Sequence, residues 1–531
     1  MRHRLTLVLA AIVCAAALPG ARSESPRAAI DAWIASHQQA IVGELVDLAA
    51  IPDIAADKPD IARNVDALKA LLVRHGLTAE ALPTAGNPLV YGELNVPGAA
   101  GTLLVYAHYD GQPVDPKHWQ QPDPFKAVLR DGRLEDGASL VPGPVARARY
   151  EPDWRLYARS VSDDKSPIVA LLAALDALKA AGRRPASNVH VVLDGEEEAG
   201  SPSLVGAIAR YRQKLAADAI VILDGPVHPS GRPTVTFGAR GILTFELTVF
   251  GPKFPLHSGH YGNLVPNPAF ELVRLLASMK DDRGRVLVPG FYDGLEPLSP
   301  EEQQMLAAVP DDEAALEKLF GISAVEQPGL SLQDAVQRPS LNIRGLSSGF
   351  VGAGARTIIP DRATADIDIR LVKETPSAAM LERVKAHIAK QGFFIVDRDP
   401  DDATRAAHPR IVKLTVEGGE TNAYRTSPLA PASRAVVAAI TRMFGEPPVQ
   451  IRTMGGTVPI APFIQAMGVP AIGVPIVNFD NNQHAENENL RVGTFFTGIT
   501  TLAAVLTAPV PAVAHPAPSP VHPAAGAAHQ R

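Results

Sequence analysis

The chain has 531 residues, of which 46% are hydrophobic and 20% are charged. This length and composition predict a globular protein with two packed cores and exclude disorder for the bulk of the chain. The formal net charge is −6 and there is no long basic run, so nothing indicates nucleic-acid binding. The only cysteine is Cys14, which leaves the rest of the chain without disulfides or a thiol nucleophile.

The first residues have the pattern of an export signal. Arg2 and Arg4 precede an apolar run over residues 5–18, which is short for a membrane span but typical of a signal peptide. We predict a signal over residues 1–23, a mature chain from Glu24 in the periplasm or secreted, and no stable membrane span after cleavage. A retained anchor is the alternative. A lipoprotein is disfavoured because the bulky Val13 precedes Cys14.

The last residues, 508–531, consist almost entirely of Ala, Pro, Val and His. Such a composition buries no core, so we expect an extended, disordered tail. Three of its residues are histidines that could bind metal weakly, namely His515, His522 and His529. A solvated tail is the preferred interpretation.

The first part of the mature chain alternates helical and strand patterns. Residues 102–107 and 219–223 are predicted buried strands, and a helix is predicted with Ser166 as N-cap and Pro167 at its first position. This alternation is typical of βαβ units. We therefore predict an α/β fold with a mostly parallel sheet and helices on both faces.

A second domain is predicted inside the first. Residues 243–250 and 364–372 alternate like half-buried strands and belong to a region with further helical segments, which indicates an α+β domain. The earlier pattern resumes with a helix before Phe444 and a strand over residues 470–477. The predicted division is 24–239 and 419–507 for the two parts of the first domain, and 240–418 for the insertion.

Acidic and histidine side chains follow the predicted strands of the first domain. His108 and Asp110 follow one strand, three glutamates at residues 196–198 follow another, and Asp224 follows a third. Asp163 precedes the predicted helix. Each has an ordinary alternative, such as a hydrogen-bonded loop histidine, a solvated acidic turn or a helix cap. Because strand-end loops line the crevice of an α/β sheet, their coincidence favours a shared site.

His484, in a later polar loop, completes this set. Several unpaired carboxylates in one crevice would repel one another and raise their pKa values, so the cluster requires cations. Two divalent ions balance the charge, and mixed imidazole and carboxylate ligands suit Zn²⁺, with Mn²⁺ or Co²⁺ possible. Such a pair activates water and leaves one carboxylate free to act as a base.

Eight segments together resemble the M20 metallopeptidases, the family of carboxypeptidase G2, desuccinylases and carnosine dipeptidases. They are YAHYD (106–110), SDDK (162–165), EEAGS (197–201), LDG (223–225), LHSGHYG (256–262), IIPDRATADIDIRLV (358–372), GGTVPI (455–460) and the loop of His484. The resemblance implies a zinc-exopeptidase-like α/β fold in which the inserted domain serves as a lid and dimerisation domain. The later motifs favour the carnosine dipeptidase-like branch.

The resemblance also implies a role for each strand-end residue. Five residues would bind metal: Asp163 bridging both ions, Glu198 and His484 in one site, and His108 and Asp224 in the other. Glu197 would be the general base, and Asp110 would orient His108. The register within the three glutamates is ambiguous; the following Ala-Gly-Ser favours Glu197 and Glu198, which leaves Glu196 structural.

The inserted domain would supply the substrate-facing groups. By resemblance, His257 stabilises the oxyanion and Arg370 clamps a substrate carboxylate. His260 lies three residues after His257, a spacing that also suits a metal pair, although a packing role is preferred. The backbone of Gly455, Gly456 and Thr457 would assist in anion binding.

These inferences predict a zinc hydrolase that cleaves the amide bond of a small peptide, as a dipeptidase or carboxypeptidase-like enzyme. An aminoacylase acting on N-acyl amino acids is one alternative, and a catalytically silent binding module of the same fold is another. A two-metal phosphatase is disfavoured because the expected extra basic residues are absent. The family also implies a homodimer in which His257 enters the partner's site.

Overall fold

The computed structural model describes residues 26–418 and 421–513, so the predicted signal over residues 1–23 lies outside the described residues. The strands are β1 Thr78–Leu82, β2 Leu89–Leu94, β3 Thr102–His108, β4 Val128–Arg130, β5 Leu140–Val141, β6 Arg155–Tyr157, β7 Asn188–Asp194, β8 Ala219–Ile222, β9 Thr234–Thr236, β10 Gly238–Ala239, β11 Gly241–Phe250, β12 Leu256–His257, β13 Ser340–Ser348, β14 Ile358–Ile359, β15 Arg362–Leu371, β16 Phe394–Val396, β17 Ile411–Val416, β18 Tyr424–Arg425, β19 Val449–Ile451, β20 Ala471–Gly473 and β21 Asn489–Arg491. The helices are α1 Pro26–Ala49, α2 Lys58–Arg74, α3 Lys165–Ala180, α4 Leu204–Tyr211, α5 Ser258–Tyr261, α6 Pro268–Ala277, α7 Pro300–Ala307, α8 Glu313–Phe320, α9 Leu332–Val336, α10 Ser377–Lys390, α11 Asp402–Ala407, α12 Pro431–Phe444, α13 Ala461–Met467 and α14 Val492–Leu506.

The larger sheet has eight strands in the order β1-β2-β7-β3-β8-β20-β9-β19. Its centre, from β7 through β3 and β8 to β20, is parallel, whereas β1, β2 and the β20–β9 contact are antiparallel. Side chains of β3 enter two cores: Leu103 and Val105 pack with helices α1, α2, α3, α12 and α14, and Leu104 and Tyr106 pack with α4 and α13. The predicted α/β fold with helices on both faces is therefore confirmed.

The second sheet has five strands in the order β13-β15-β11-β17-β16, all within residues 240–418. It is antiparallel except between β16 and β17. Helices α6 and α10 cover one face, where Phe245 and Ile367 are fully buried. The two strands predicted here from alternation correspond to β11 and β15.

Helix α3 begins two residues earlier than predicted, and Ser166 is not its N-cap. The helix starts at Lys165, and its N-cap Asp164 makes no capping hydrogen bond with its side chain. The Asp164 carboxylate instead accepts a hydrogen bond from the His108 N–H at 3.2 Å. The buried Lys165 ammonium pairs with Asp53 at 2.8 Å, which draws this residue into the first turn.

The strand predicted over residues 470–477 is shorter in the structure. Strand β20 ends at Gly473, because Pro475 has no N–H with which to continue a ladder. Val474 still donates to the Ile222 carbonyl at 2.8 Å, so the chain leaves the sheet directly after this contact.

The predicted tail begins with packed residues, which corrects its boundary. Ala508 and Val510 are buried, and the Val513 N–H donates to the Asp218 carboxylate at 2.7 Å. These small apolar side chains fill space beside the sheet, an effect that composition averaged over residues 508–531 does not show. Residues 514–531, with the three histidines, lie outside the described residues. No helix in the described part of the chain combines the length and apolar character needed to cross a membrane.

Candidate metal centre

Three neighbouring parallel strands, β7, β3 and β8, end at the same edge of the larger sheet. His108 is the last residue of β3, and Asp224 lies two residues beyond β8. A short 3-10 helix, Glu197–Ala199, follows β7. Because the carboxyl ends of parallel strands meet, side chains far apart in sequence converge here.

The structure brings the five predicted ligands together in two overlapping groups. One contains His108, Asp163 and Asp224, and the other contains Asp163, Glu198 and His484; within each group the ligand atoms lie within 4.8 Å of one another. Asp163 is shared: its Oδ1 lies 3.0 Å from His108 Nε2, and its Oδ2 lies 3.1 Å from His484 Nε2. This arrangement fits a pair of divalent ions that share one carboxylate and otherwise have imidazole and carboxylate ligands.

The pKa values in this cluster show how strongly the charges interact. Burial, followed by the charge of Asp163, raises the pKa of Glu198 to about 7 and that of Asp224 to about 6. The hydrogen bond to Asp163 raises the pKa of His484 to about 9. Against the effect of burial, hydrogen bonds from His108 and His484 hold the pKa of Asp163 below its usual range. Cations would relieve this repulsion among the carboxylates.

The three consecutive glutamates occupy different environments. The Glu196 carboxylate accepts a hydrogen bond from the Asn87 N–H at 2.9 Å and belongs to neither ligand group. Glu198 belongs to the second group, with its Oε2 3.3 Å from His484 Nε2. Glu197 is buried beside both groups, and burial together with nearby carboxylates raises its pKa well above the usual value. Glu198, rather than Glu196, therefore occupies a candidate ligand position, and the role of Glu197 stays a prediction.

Asp110 contacts both His108 and the glutamates that follow β7. His108 Nδ1 lies 3.0 Å from the backbone carbonyl oxygen of Asp110 and 3.5 Å from the nearer oxygen of the Asp110 carboxylate. The carboxylate accepts the N–H groups of Glu197 and Glu198 at 3.0 and 3.1 Å. Asp110 therefore fixes the backbone of the glutamates as well as the orientation of His108.

The structure leaves His257 apart from this cluster. It lies on β12, is exposed, and its Nδ1 accepts a hydrogen bond from the Gly259 N–H at 3.0 Å. The ring of His260 lies 4.5 Å from that of His257. Within the described residues, neither histidine belongs to a ligand group or has a hydrogen bond or ion pair with one.

Arg370 joins the second sheet to a loop of the larger one. Its Nη1 donates to Thr457 Oγ1 at 2.8 Å, and its Nε lies 3.8 Å from the Asp368 carboxylate. Gly455 and Gly456 precede Thr457 in this loop and are exposed. The predicted substrate-facing residues of the two sheets are therefore in contact.

Two amide side chains that the sequence did not single out also contact the ligands. Gln112 Nε2 donates to Glu198 Oε2 at 2.6 Å, and Gln483 Nε2 donates to Asp163 Oδ2 at 3.3 Å. Glutamines are common in loops, so their type carries no signal. What the sequence does show is their position: Gln112 lies two residues after Asp110, and Gln483 directly precedes His484.

Comparisons with known proteins agree in one family. The model of peptidase family M20/M25/M40 matches residues 104–508. The Cys-Gly metallodipeptidase of Candida albicans is 28% identical over 425 residues, covering 79% of this chain and 81% of the relative. The human Beta-Ala-His dipeptidase is 29% identical over 427 residues, covering 78% and 76%. The solved M20 family metallo-carboxypeptidase of Sulfolobus solfataricus is 29% identical, with a TM-score of 0.70, and the match covers 88% of this chain and 99% of that one.

Proposed function

Because this chain belongs to peptidase family M20/M25/M40, we propose that it is a metallodipeptidase that cleaves small peptides with two zinc ions. One observation carries the proposal. The two oxygens of Asp163 face different histidines, so a single carboxylate serves both ligand groups. A bridging carboxylate between two sites is typical of hydrolytic metal pairs.

Each proposed zinc site takes Asp163 and two further ligands. His108 and Asp224 complete one site, and Glu198 and His484 complete the other. When bound, two such ions supply Lewis acidity that polarises the scissile carbonyl and lowers the pKa of an attacking water. The protein contributes the spacing of the ligands, which its strand ends and the loop of His484 determine.

Glu197 is the proposed general base. It is buried, belongs to neither ligand group, and is flanked in sequence by the ligand Glu198. Burial and the neighbouring carboxylates raise its pKa, which suits a group that accepts a proton from water and passes it to the leaving amine. The hydrogen bonds of Asp110 to two consecutive N–H groups keep the base and the ligand in register.

Arg370 is the proposed clamp for the C-terminal carboxylate of the peptide. A planar guanidinium offers two parallel donors to a carboxylate. Its contact with Thr457 holds it beside Gly455 and Gly456, where the absence of side chains leaves the N–H groups open to an anion. His257 is the proposed oxyanion donor.

We propose a dipeptidase rather than an aminoacylase because relatives named as dipeptidases match about four fifths of the chain. The silent binding module is disfavoured because each ligand and the base are present. Alanyl-leucine and N-acetyl-leucine share the same leaving group and differ at the N-terminal side. After chelation and reconstitution with Zn²⁺, kcat/KM for the dipeptide should be at least about tenfold higher, which corresponds to about 1.4 kcal/mol.

The other outcomes of this assay are informative. Hydrolysis of N-acetyl-leucine alone would make the protein an aminoacylase. Failure to hydrolyse either compound, with two zinc ions bound, would support the silent module. Substituting Mn²⁺ or Co²⁺ in the same assay identifies the metal that gives the highest kcat.

A homodimer formed by the inserted domain is part of the proposal. Large apolar side chains are exposed on this domain, and such exposure is typical of interaction surfaces. They include Phe254, Leu264, Phe270, Leu346 and Val351. Light scattering of the purified protein should give the mass of two chains, whereas a monomer would exclude an intermolecular role for His257.

Export from the cytoplasm is the last part of the proposal. We propose that residues 1–23 direct the chain to the periplasm or the medium and are then removed. Mass spectrometry of protein recovered from those fractions should give a chain that begins at Glu24. An uncleaved chain in the cytoplasm would contradict the proposal.

A further inference from the structure

The carboxylate of Glu488 is fully buried between two segments that carry proposed ligands. Its Oε1 accepts the N–H groups of Ser162 and Asp163 at 2.8 and 3.0 Å. Its Oε2 accepts Arg159 Nη1 at 2.8 Å and the Ser160 N–H at 3.0 Å. Three of these donors are backbone groups of the segment that ends at Asp163, so Glu488 fixes the path of that backbone.

The same contacts tie this segment to the loop of His484. Glu488 lies in that loop, four residues after His484. Arg159 Nη2 donates to the Ala485 carbonyl at 3.1 Å, and Ser162 Oγ donates to the Asn489 carbonyl at 2.7 Å. The segment of Asp163 and the loop of His484 are therefore joined on both sides of Glu488.

Backbone conformation shows why such a connection is needed. Ser160, His484 and Asn487 have φ angles of 61°, 60° and 60°, in the left-handed region that residues other than glycine rarely adopt. Such conformations persist only where surrounding contacts fix them. Glu488 binds the N–H of Ser160 directly, and its loop contains the other two residues.

The two proposed metal sites depend unequally on these contacts. His108 is the last residue of strand β3 and Asp224 follows β8, so the sheet itself positions them. His484 lies in a loop, and 55% of its side chain is exposed. Asp163 serves both sites, but only one of them also needs His484.

We infer that Glu488 is a positioning residue that holds Asp163 and His484 at the spacing required for the Glu198-containing site. It touches neither substrate nor metal and acts through the backbone that carries these ligands. The inference rests on the proposed two-metal function. It adds to that proposal a residue on which the site with His484 depends more strongly than the other, because Asp163 is shared and His484 is not.

The test compares Glu488→Gln with Glu486→Gln. Glu486 lies in the same loop and is exposed, and its carboxylate lies 3.8 Å from His118 Nδ1. Chelator-stripped full chain is titrated with Zn²⁺ by calorimetry. We expect Glu488→Gln to weaken one of the two zinc-binding steps about 10- to 100-fold, as for other residues that orient metal ligands, and the other step less. Glu486→Gln should bind both as the wild type does.

Kinetics provide an independent readout. At a zinc concentration that just saturates the wild type, kcat of Glu488→Gln should fall about 10- to 100-fold with KM nearly unchanged, and added zinc should restore kcat. A residue with only a structural role would lower the melting temperature and weaken both zinc sites equally. That result, or two zinc affinities equal to those of the wild type, would overturn the inference.

If Glu488→Gln does not fold, Arg159→Met removes one donor to Glu488 and the contact with Ala485 while retaining the three N–H bonds. It should cause the same selective loss, to a smaller extent, and equal weakening of both sites would again overturn the inference. A wild-type chain that does not bind two zinc ions would contradict the proposed function instead. The two failures are therefore distinguishable.

Discussion

Two regions are built in opposite ways: the strand-end cluster of the larger sheet, which comprises the candidate ligands and Glu197, and the proposed substrate-facing residues within residues 240–418. Asp163 lies within hydrogen-bond distance of ligand candidates from two other segments, and His108 is fully buried. His257 is exposed, and its imidazole contacts Gly259 and His260 of its own turn. One chain therefore brings the candidate ligands together, whereas the proposed oxyanion donor His257 is not in contact with them within the described residues.

The two regions also differ in how their charged side chains are surrounded. Around Asp163, burial and mutual repulsion raise the pKa values of Glu198 and Asp224 to about 7 and about 6. Cations would relieve the repulsion among these carboxylates. Arg370 interacts with the neutral Thr457 and, more distantly, with Asp368, which leaves it able to bind an anion.

The largest expected effect concerns the strand-end cluster. Glu197→Gln should keep both metals bound and lower kcat by about 10² to 10⁴-fold, because it removes the general base and leaves the ligand groups intact. Metal analysis and steady-state kinetics of the purified variant provide the measurement. Loss of one metal together with retained activity would mean that Glu197 is a ligand and that the base has to be reassigned.

The second prediction tests whether the oxyanion donor comes from another chain. His257→Ala should lower kcat by about 10² to 10³-fold. Mixing it with Glu197→Gln under conditions that exchange subunits creates dimers in which one site has both intact groups, if His257 acts across the dimer. An equal mixture should recover about a quarter of the wild-type activity, since half of the dimers are mixed and half of their sites are complete. Persistent inactivity after verified exchange would place His257 in its own chain's site.

The third prediction concerns binding rather than chemistry. Arg370→Lys keeps the charge but loses the planar pair of donors, so kcat/KM for dipeptides should fall about 10- to 100-fold, mainly through KM. Arg362→Lys is the matched control, since Arg362 begins the same strand β15 and is exposed. Equal effects of the two variants would show that Arg370 contributes to the strand and does not bind substrate.

The candidate ligand cluster could be predicted from the sequence because it depends on two general rules of α/β sheets. A continuous apolar run predicts the buried strand β3, and parallel strands bring their carboxyl ends together. The assignment of ligands to two separate groups came from family resemblance alone. In the structure, the two groups have the predicted members.

Residues fixed by tertiary contact could not be predicted in this way. Glu486 and Glu488 are two residues apart in one polar loop, yet one is exposed and the other is fully buried with four donors. Local sequence gives both the same expectation of a solvated glutamate. Asp164 is similar: a residue before a helix suggests a cap, but its carboxylate binds the His108 N–H.

The smallest expected effect on kcat concerns the opposite end of the sheet from the metal centre. Val510 is buried, its N–H donates to Ser187 Oγ at 3.2 Å, and Val513 binds Asp218 immediately before β8. Deleting residues 508–531 should therefore lower the free energy of unfolding by about 2–4 kcal/mol, since it exposes apolar surface and removes these hydrogen bonds. Urea denaturation of the reconstituted protein measures this loss.

Deleting only residues 514–531, whose Pro- and Ala-rich composition buries no core, should leave stability unchanged. In both truncations the kcat of the zinc-loaded enzyme should equal that of the wild type, because the contacts removed lie at the amino ends of the strands and the ligands at their carboxyl ends. A fall in kcat with the shorter deletion would mean that the end of the chain reaches the site, and the separation between scaffold and site would no longer hold.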